Sequence, residues 1–75
     1  MPAIELSISR LTRGAEADDL ATALTGISGV AGVRVDLAAR TVRVEYDPHY
    51  ASPRMIADSL KGAGYPVDAV REVDQ

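Results

Sequence analysis

Cysteine is absent from this 75-residue sequence, which removes disulfides, thiolate metal ligands and thiol catalysis together. A disulfide-stabilised secreted framework is thereby excluded. Phe, Trp and Asn are absent too, so the bulk of any core has to come from Val, Ile, Leu and Ala. Histidine occurs once, at His49, and lysine once, at Lys61. Lys+Arg number 8 against 11 Asp+Glu, a formal net charge of −3, and the positive residues are scattered. Neutralising nucleic-acid phosphates takes a basic surface, so no nucleic-acid partner is expected. The opening Met1-Pro2-Ala3-Ile4-Glu5 has no basic segment followed by a long apolar run, so no signal peptide is read there. No window approaches the roughly 18 apolar residues of a membrane helix, and the expected location is the cytoplasm, with no membrane partner.

What is present is the composition of an ordinary globular domain, 47% hydrophobic and 25% charged. A chain of this length hides only about 60% of its unfolded surface. That is enough for one modest core and too little for an enclosed multi-substrate active site. Residues 1–75 are read as a single domain with its core at about residues 3–71. The Met1 start and the polar tail at residues 71–75 read as a stand-alone chain.

Residues 3–9 alternate, with Ile4, Leu6 and Ile8 on one side and Glu5, Ser7 and Ser9 on the other, the pattern of a strand with one buried face. A loop containing Gly14 follows. From Glu16 the period becomes 3.6: Ala17, Leu20, Leu24 and Ile27 form a stripe, with Ala21 and Ala23 beside it. Glu16, Asp18 and Asp19 occupy the first turn, where the helix dipole favours anions, and Gly26 and Gly29 supply the stop. Residues 30–37 return to period two, with Val33, Val35 and Leu37 inward and Arg34 and Asp36 outward. Ala38-Ala39-Arg40 connects them to residues 41–46, where Val42, Val44 and Tyr46 alternate with polar residues. The two runs predict an antiparallel hairpin, although the Asn-Gly or Asp-Gly turn signal is missing. In Ser52-Pro53 a capping hydroxyl precedes a residue suited to the first helical turn. Ile56, Leu60 and Ala63, with Met55 alongside, form the buried stripe of this second helix, and Gly62 and Gly64 end it. After Tyr65-Pro66 a last strand is expected over residues 67–70 or a little beyond. The order βαββαβ with right-handed crossovers predicts a ferredoxin-like α+β sandwich, a four-stranded antiparallel sheet with two helices on one face.

Three segments go further than topology. Ser28-Gly29-Val30-Ala31-Gly32-Val33-Arg34-Val35-Asp36 resembles the "pGVxxVxVd" segment of heavy-metal-associated domains, Val42-Arg43-Val44-Glu45-Tyr46-Asp47-Pro48 resembles their "vxVxyDp" strand, and Ala63-Gly64-Tyr65 resembles their "aGY". The register holds from about Ile4 to Val70. The resemblance implies kinship with copper or zinc chaperones and with the cytosolic N-terminal modules of metal-pumping ATPases. It also places the family's "GMTCxxC" on Arg10-Leu11-Thr12-Arg13-Gly14-Ala15-Glu16, with Arg13 and Glu16 at the two cysteine positions. Cu(I) needs soft sulfur donors, and a guanidinium has a fixed charge and no lone pair. No metal ligand and no cofactor is therefore assigned; the only sulfur atoms are those of Met1 and Met55.

Two readings of the Arg13/Glu16 pair follow. Either the site is retired and both side chains are solvated, or Arg13 reaches Glu16 and holds the loop as the metal once did. An exposed pair of that kind contributes only about 0–1 kcal/mol. Tyr65 is brought by topology to the same end of the sheet, either as a rim aromatic supporting the loop or as part of a partner-binding surface with Leu11, Thr12, Arg13 and Glu16. Glu16, Asp18 and Asp19 look like hard-cation ligands, but neighbouring helix positions do not share a face, so they read as complements to the helix dipole. His49 beside Asp47 lies on the connection after the third strand, at the opposite end of the sheet, and reads as a surface-loop residue.

No catalytic residue is assigned. An acylphosphatase-like site would pair a loop arginine with an asparagine; Arg10 and Arg13 are available, but no Asn is. An RNA-recognition module needs aromatics on its central strands, where this chain has Ile4, Leu6 and Ile8, with Tyr46 near the end of the third strand. No Ser or Thr has a base beside it. The expected function is that of a metal-independent protein interaction module, its partner a metal-transport component, acting as a monomer with a weak dimer as the alternative. A regulatory module that binds a small ligand or self-associates is the second reading, and weak hard-cation binding through carboxylates the third.

Overall fold

The computed structural model describes residues 2–73. Its elements are β1 (Ala3–Ser7), α1 (Gly14–Thr25), β2 (Val30–Asp36), β3 (Thr41–Tyr46), α2 (Pro53–Gly62) and β4 (Ala69–Val73). The strands lie in the order β2-β3-β1-β4, each neighbour antiparallel. This is the ferredoxin-like βαββαβ sandwich expected from the periodicities.

The two strands with buried residues, β1 and β3, are central. Ile4 and Leu6 of β1 lie directly opposite Val44 and Val42 of β3, and opposite residues of an antiparallel pair point to the same face. All four are fully buried, in one cluster with Ile8, Leu11, Leu20, Leu24, Ile56 and Leu60. Leu20 and Leu24 come from α1, and Ile56 and Leu60 from α2, so both helices cover the same face. The other face carries Glu5, Ser7, Arg34, Asp36, Thr41, Arg43 and Glu45. Among the described residues no helix is long and apolar enough to cross a membrane.

Both helix starts use local chemistry. The Ser52 hydroxyl accepts from the Met55 N–H at 3.2 Å, and Pro53 opens α2. Helix α1 begins at Gly14, two residues before the change of period, with Arg13 in extended conformation as its N-cap. The hairpin between β2 and β3 turns without a glycine. Asp36 Oδ1 accepts from the Ala39 N–H at 3.1 Å, and Arg40 takes the left-handed conformation at φ 55°. A short polar side chain thus supplies what Asn-Gly would have supplied.

Several expectations are corrected. Leu37 does not face the core: β2 ends at Asp36, and Leu37 lies in the turn, 38% exposed. Met55 is 49% exposed and Ala63 is exposed, because α2 buries a narrow stripe of Ile56 and Leu60. Ala23 likewise faces solvent. The last strand, expected over residues 67–70 or a little beyond, starts later and runs Ala69–Val73. Its pairing starts only after the Asp68 N–H has donated to the Ser7 carbonyl at 2.8 Å, while Val67 packs against the core before the strand begins. Arg71 and Glu72, expected in a polar tail, are therefore edge-strand residues, and Arg71 pairs with Glu5 at 3.0 Å. Residues 74–75 of that tail lie outside the described residues.

Candidate functional site

Strand β1 delivers the chain to one end of the sheet, where three connections meet. The Ile8 N–H donates to the Arg40 carbonyl at 2.9 Å, tying the end of β1 to the β2–β3 turn. The Ser9 N–H donates to Asp68 Oδ2 at 2.7 Å, and Arg10 Nη1 donates to the Gly64 carbonyl at 2.8 Å. These two bonds fasten the β1–α1 loop to the α2–β4 connection. Leu11 is completely buried and pins the loop from beneath. It therefore supports the surface formed by Thr12, Arg13 and Glu16 without contributing to it. Tyr65 is half-buried against the core, its N–H donating to the Leu60 carbonyl at 2.9 Å.

Glu16 organises the loop. Its Oε1 accepts from the Thr12 N–H at 3.2 Å, the Thr12 hydroxyl at 3.2 Å and the Arg13 N–H at 3.0 Å. This is one half of a capping box: a carboxylate at the third helical position reaches back to the free N–H groups before the helix. The reciprocal half is chemically closed, because a guanidinium cannot accept a hydrogen bond. The expected Arg13–Glu16 side-chain contact is not how the loop is held. Among the described residues the side-chain ion pairs are Arg71–Glu5 and His49–Asp47, and the Arg13 side chain is exposed. The extended N-cap turns the arginine outward, while its backbone N–H remains within reach of the carboxylate.

The electrostatics of this end follow from those bonds. The Thr12 N–H, then the Thr12 hydroxyl and the Arg13 N–H, hold the Glu16 carboxyl below the usual glutamate value. The Ser9 N–H does the same for Asp68. Both anions are engaged by N–H groups, whereas Arg10, Arg13, Arg40 and, in the last turn of α2, Lys61 stand exposed around them. Asp36, exposed in the same turn as Arg40, lies at this end as well, so the charges there are mixed.

A pH dependence follows. The Glu16 carboxyl has a lower value in the folded chain than in the unfolded one, so the stability it contributes is complete above the unfolded value. That contribution is lost as the pH falls through the folded value. Asp68, and Asp47 at the other end, act in the same direction. Urea unfolding midpoints are expected to drop on acidification through the carboxylate range, and the drop should be shallower in Glu16→Gln. That variant keeps an acceptor oxygen and loses the titration; an unchanged pH profile would remove Glu16 as a contributor.

The remaining candidates fall elsewhere. Asp18 and Asp19 are exposed on α1, and among the described residues no three His, Cys, Asp or Glu side chains converge to hold a metal ion. His49 lies at the opposite end, 85% exposed, with Nδ1 3.0 Å from Asp47 Oδ1. The His49 N–H is the main reason the Asp47 carboxyl lies low. Sequence reasoning did not find the fastening roles of Arg40 and Asp68. Asp68 meets Ser9 from 59 positions away, and no local pattern announces such a contact.

Residues 5–66 match the Heavy-metal-associated domain family. The N-terminal domain of a potential copper-translocating P-type ATPase from Bacillus subtilis, solved in its Cu(I)-loaded state, is 32% identical with a TM-score of 0.83, covering 100% of this chain and 95% of that one. Oxidized MerP from Ralstonia metallidurans CH34 is 26% identical with a TM-score of 0.82, covering 89% and 96%. The CopZ metallochaperone is 26% identical with a TM-score of 0.82, covering 87% and 97%. No curated protein sequence matches the chain. From its folded register, its sequence pattern and these relatives among metal-transport and chaperone proteins, the chain belongs to the heavy-metal-associated domain family.

Proposed function

We propose that this chain is a heavy-metal-associated domain whose metal site has been retired, and that it acts in the cytoplasm as a single-domain, monomeric protein interaction module beside a metal-transport component. The observation that carries the reading is the bonding of Glu16. A carboxylate at one of the family's cysteine positions takes the N–H groups of Thr12 and Arg13 and the Thr12 hydroxyl. The loop is thereby ordered by the chain itself, with no metal needed to hold it. Arg13, at the other position, offers no lone pair. The exposed Thr12 and Arg13 and the half-buried Glu16 and Tyr65 form the docking surface, with the buried Leu11 supporting them from beneath. The exposed Arg10, Arg13, Arg40 and Lys61 at this end favour carboxylates on the partner surface. The module carries no catalysis.

The test is a titration followed residue by residue through amide NMR. With Cu(I), Zn(II) and Ni(II) in turn, no amide is expected to move at stoichiometric metal. With the soluble domain of a metal-transporting ATPase from the same cell, residues 10–17 and 61–66 are expected to shift with no metal present. Concerted metal-induced shifts of residues 10–17 and Tyr65 at micromolar affinity would overturn the reading.

A further inference from the structure

The sheet face away from the helices carries an unusual row of side chains. Arg34 of β2 lies directly opposite Arg43 of β3. Arg43 lies opposite Glu5 of β1, and Glu5 opposite Arg71 of β4. One line across the sheet therefore reads Arg34, Arg43, Glu5, Arg71. Its single carboxylate is engaged at the far end, where Arg71 Nη2 donates to Glu5 Oε1 at 3.0 Å. Arg34 and Arg43 form no side-chain ion pair among the described residues. Like charges directly opposite each other on a sheet are destabilising, and here they adjoin in a chain whose net charge is −3.

A depression of about 370 Å³ opens beside this pair, lined by Gly32, Val33, Arg34, Arg43 and Glu45. Gly32 brings no side chain into it. It follows a register shift in β2 and lies opposite Glu45, and a Cβ there would reach to 3.9 Å from Glu45 Oε1. The depression lies on the sheet face, away from the loop end around Glu16.

We propose that this depression is an oxyanion site for a phosphate-class dianion, free or as a phosphomonoester. Two arginines at directly opposed positions that line one depression present more N–H donors than one carboxylate can accept, since a carboxylate fills a single arginine fork. A phosphate group has three or more acceptor oxygens and spans both forks. Its double charge offsets both arginines, while the Glu45 carboxylate at the rim disfavours more highly charged polyanions. Guanidiniums stay protonated at every working pH, so the site is always charged to receive the ligand.

The experiment is a titration of the full chain with inorganic phosphate at constant ionic strength, read by amide and arginine side-chain NMR, with glycerol phosphate and chloride as parallel arms. Residues 32–34 and 43–45 are expected to shift with phosphate and not with chloride. Arg34→Gln and Arg43→Gln should each weaken binding at least tenfold while leaving the unfolding midpoint unchanged or higher. Gly32→Thr should abolish binding by filling the floor with the charges intact. A stronger response to glycerol phosphate assigns the site to a phosphomonoester, and a stronger response to the free ion assigns it to inorganic phosphate. Equal shifts with chloride, undiminished binding in the arginine variants, or shifts confined to residues 10–17 would overturn the proposal.

Discussion

Gly29→Ala is expected to lose roughly 2–5 kcal/mol of stability, a large share of the about 4–11 kcal/mol available to a chain of this size. Two effects combine at this position. Gly29 sits at φ +94°, where a side chain costs about 1–2 kcal/mol. A Cβ there would also lie 2.7 Å from Tyr50 Cβ, 3.1 Å from the Ala51 nitrogen and 3.2 Å from Ala51 Cβ. Overpacking of that kind costs about 1–3 kcal/mol. The backbone has little room to relax, because the Asp47 N–H donates to the Gly29 carbonyl at 2.7 Å and closes the two far-end loops onto each other. Gly64 is the control. It has nearly the same conformation, φ +93°, with nothing within 4 Å of its ideal Cβ. Gly64→Ala should therefore lose only about 1–2 kcal/mol. Urea unfolding of the two variants followed by circular dichroism separates the terms; equal losses would show that the Tyr50 contact contributes nothing.

The double variant Arg13→Cys, Glu16→Cys is expected to bind one equivalent of Cu(I), and the unsubstituted chain is expected to bind none. The two positions are three residues apart, one the N-cap of α1 and the other within its first turn. Thiolates there lie at the positive end of the helix dipole, which lowers their pKa and favours the metal-binding form. Each single variant supplies one sulfur and should bind more weakly by orders of magnitude. The double variant also loses the bonds from Glu16 Oε1 to Thr12 and Arg13. Its metal-free form should show a looser loop at residues 10–16 that orders again on adding Cu(I), measurable as amide exchange. Absence of binding in the double variant would mean that the loop has departed from the family geometry by more than the identity of two side chains. Binding of equal strength in the natural chain would contradict the retired-site reading.

Most of the fold was legible in the residues themselves. Alternation at Ile4, Leu6 and Ile8, the 3.6 period through Leu20 and Leu24, and the Ser52-Pro53 helix start are local patterns, and each falls on the expected element, although β1 ends at Ser7, short of the expected Ser9. Placement failed where burial depends on what lies opposite. Met55 has the hydrophobicity of a core residue, but α2 presents too narrow a face to bury it. Val70 is apolar and still 47% exposed, because β4 is an edge strand and the core ends beside it. The site divides the same way. The lack of thiols and the unsuitability of Arg13 as a ligand follow from composition and chemistry. The actual partners of Glu16 do not, since the same spacing permits a contact to the arginine side chain or to its backbone N–H.

The sequence by itself determined the element order, the family and the exclusion of thiolate chemistry, because these rest on residue type and on spacings of a few positions along one element. Only the tertiary structure decided that Glu16 closes the loop through N–H groups, that Asp68 and Arg40 fasten it, and that Arg34 meets Arg43 across two strands. Each of these depends on how the chain returns to itself: on strand register, on the turn forced at Arg40, and on the extended N-cap at Arg13. A contact between residues tens of positions apart leaves no periodic trace, and a one-residue change of register would have moved Arg34 and Arg43 to the opposite face.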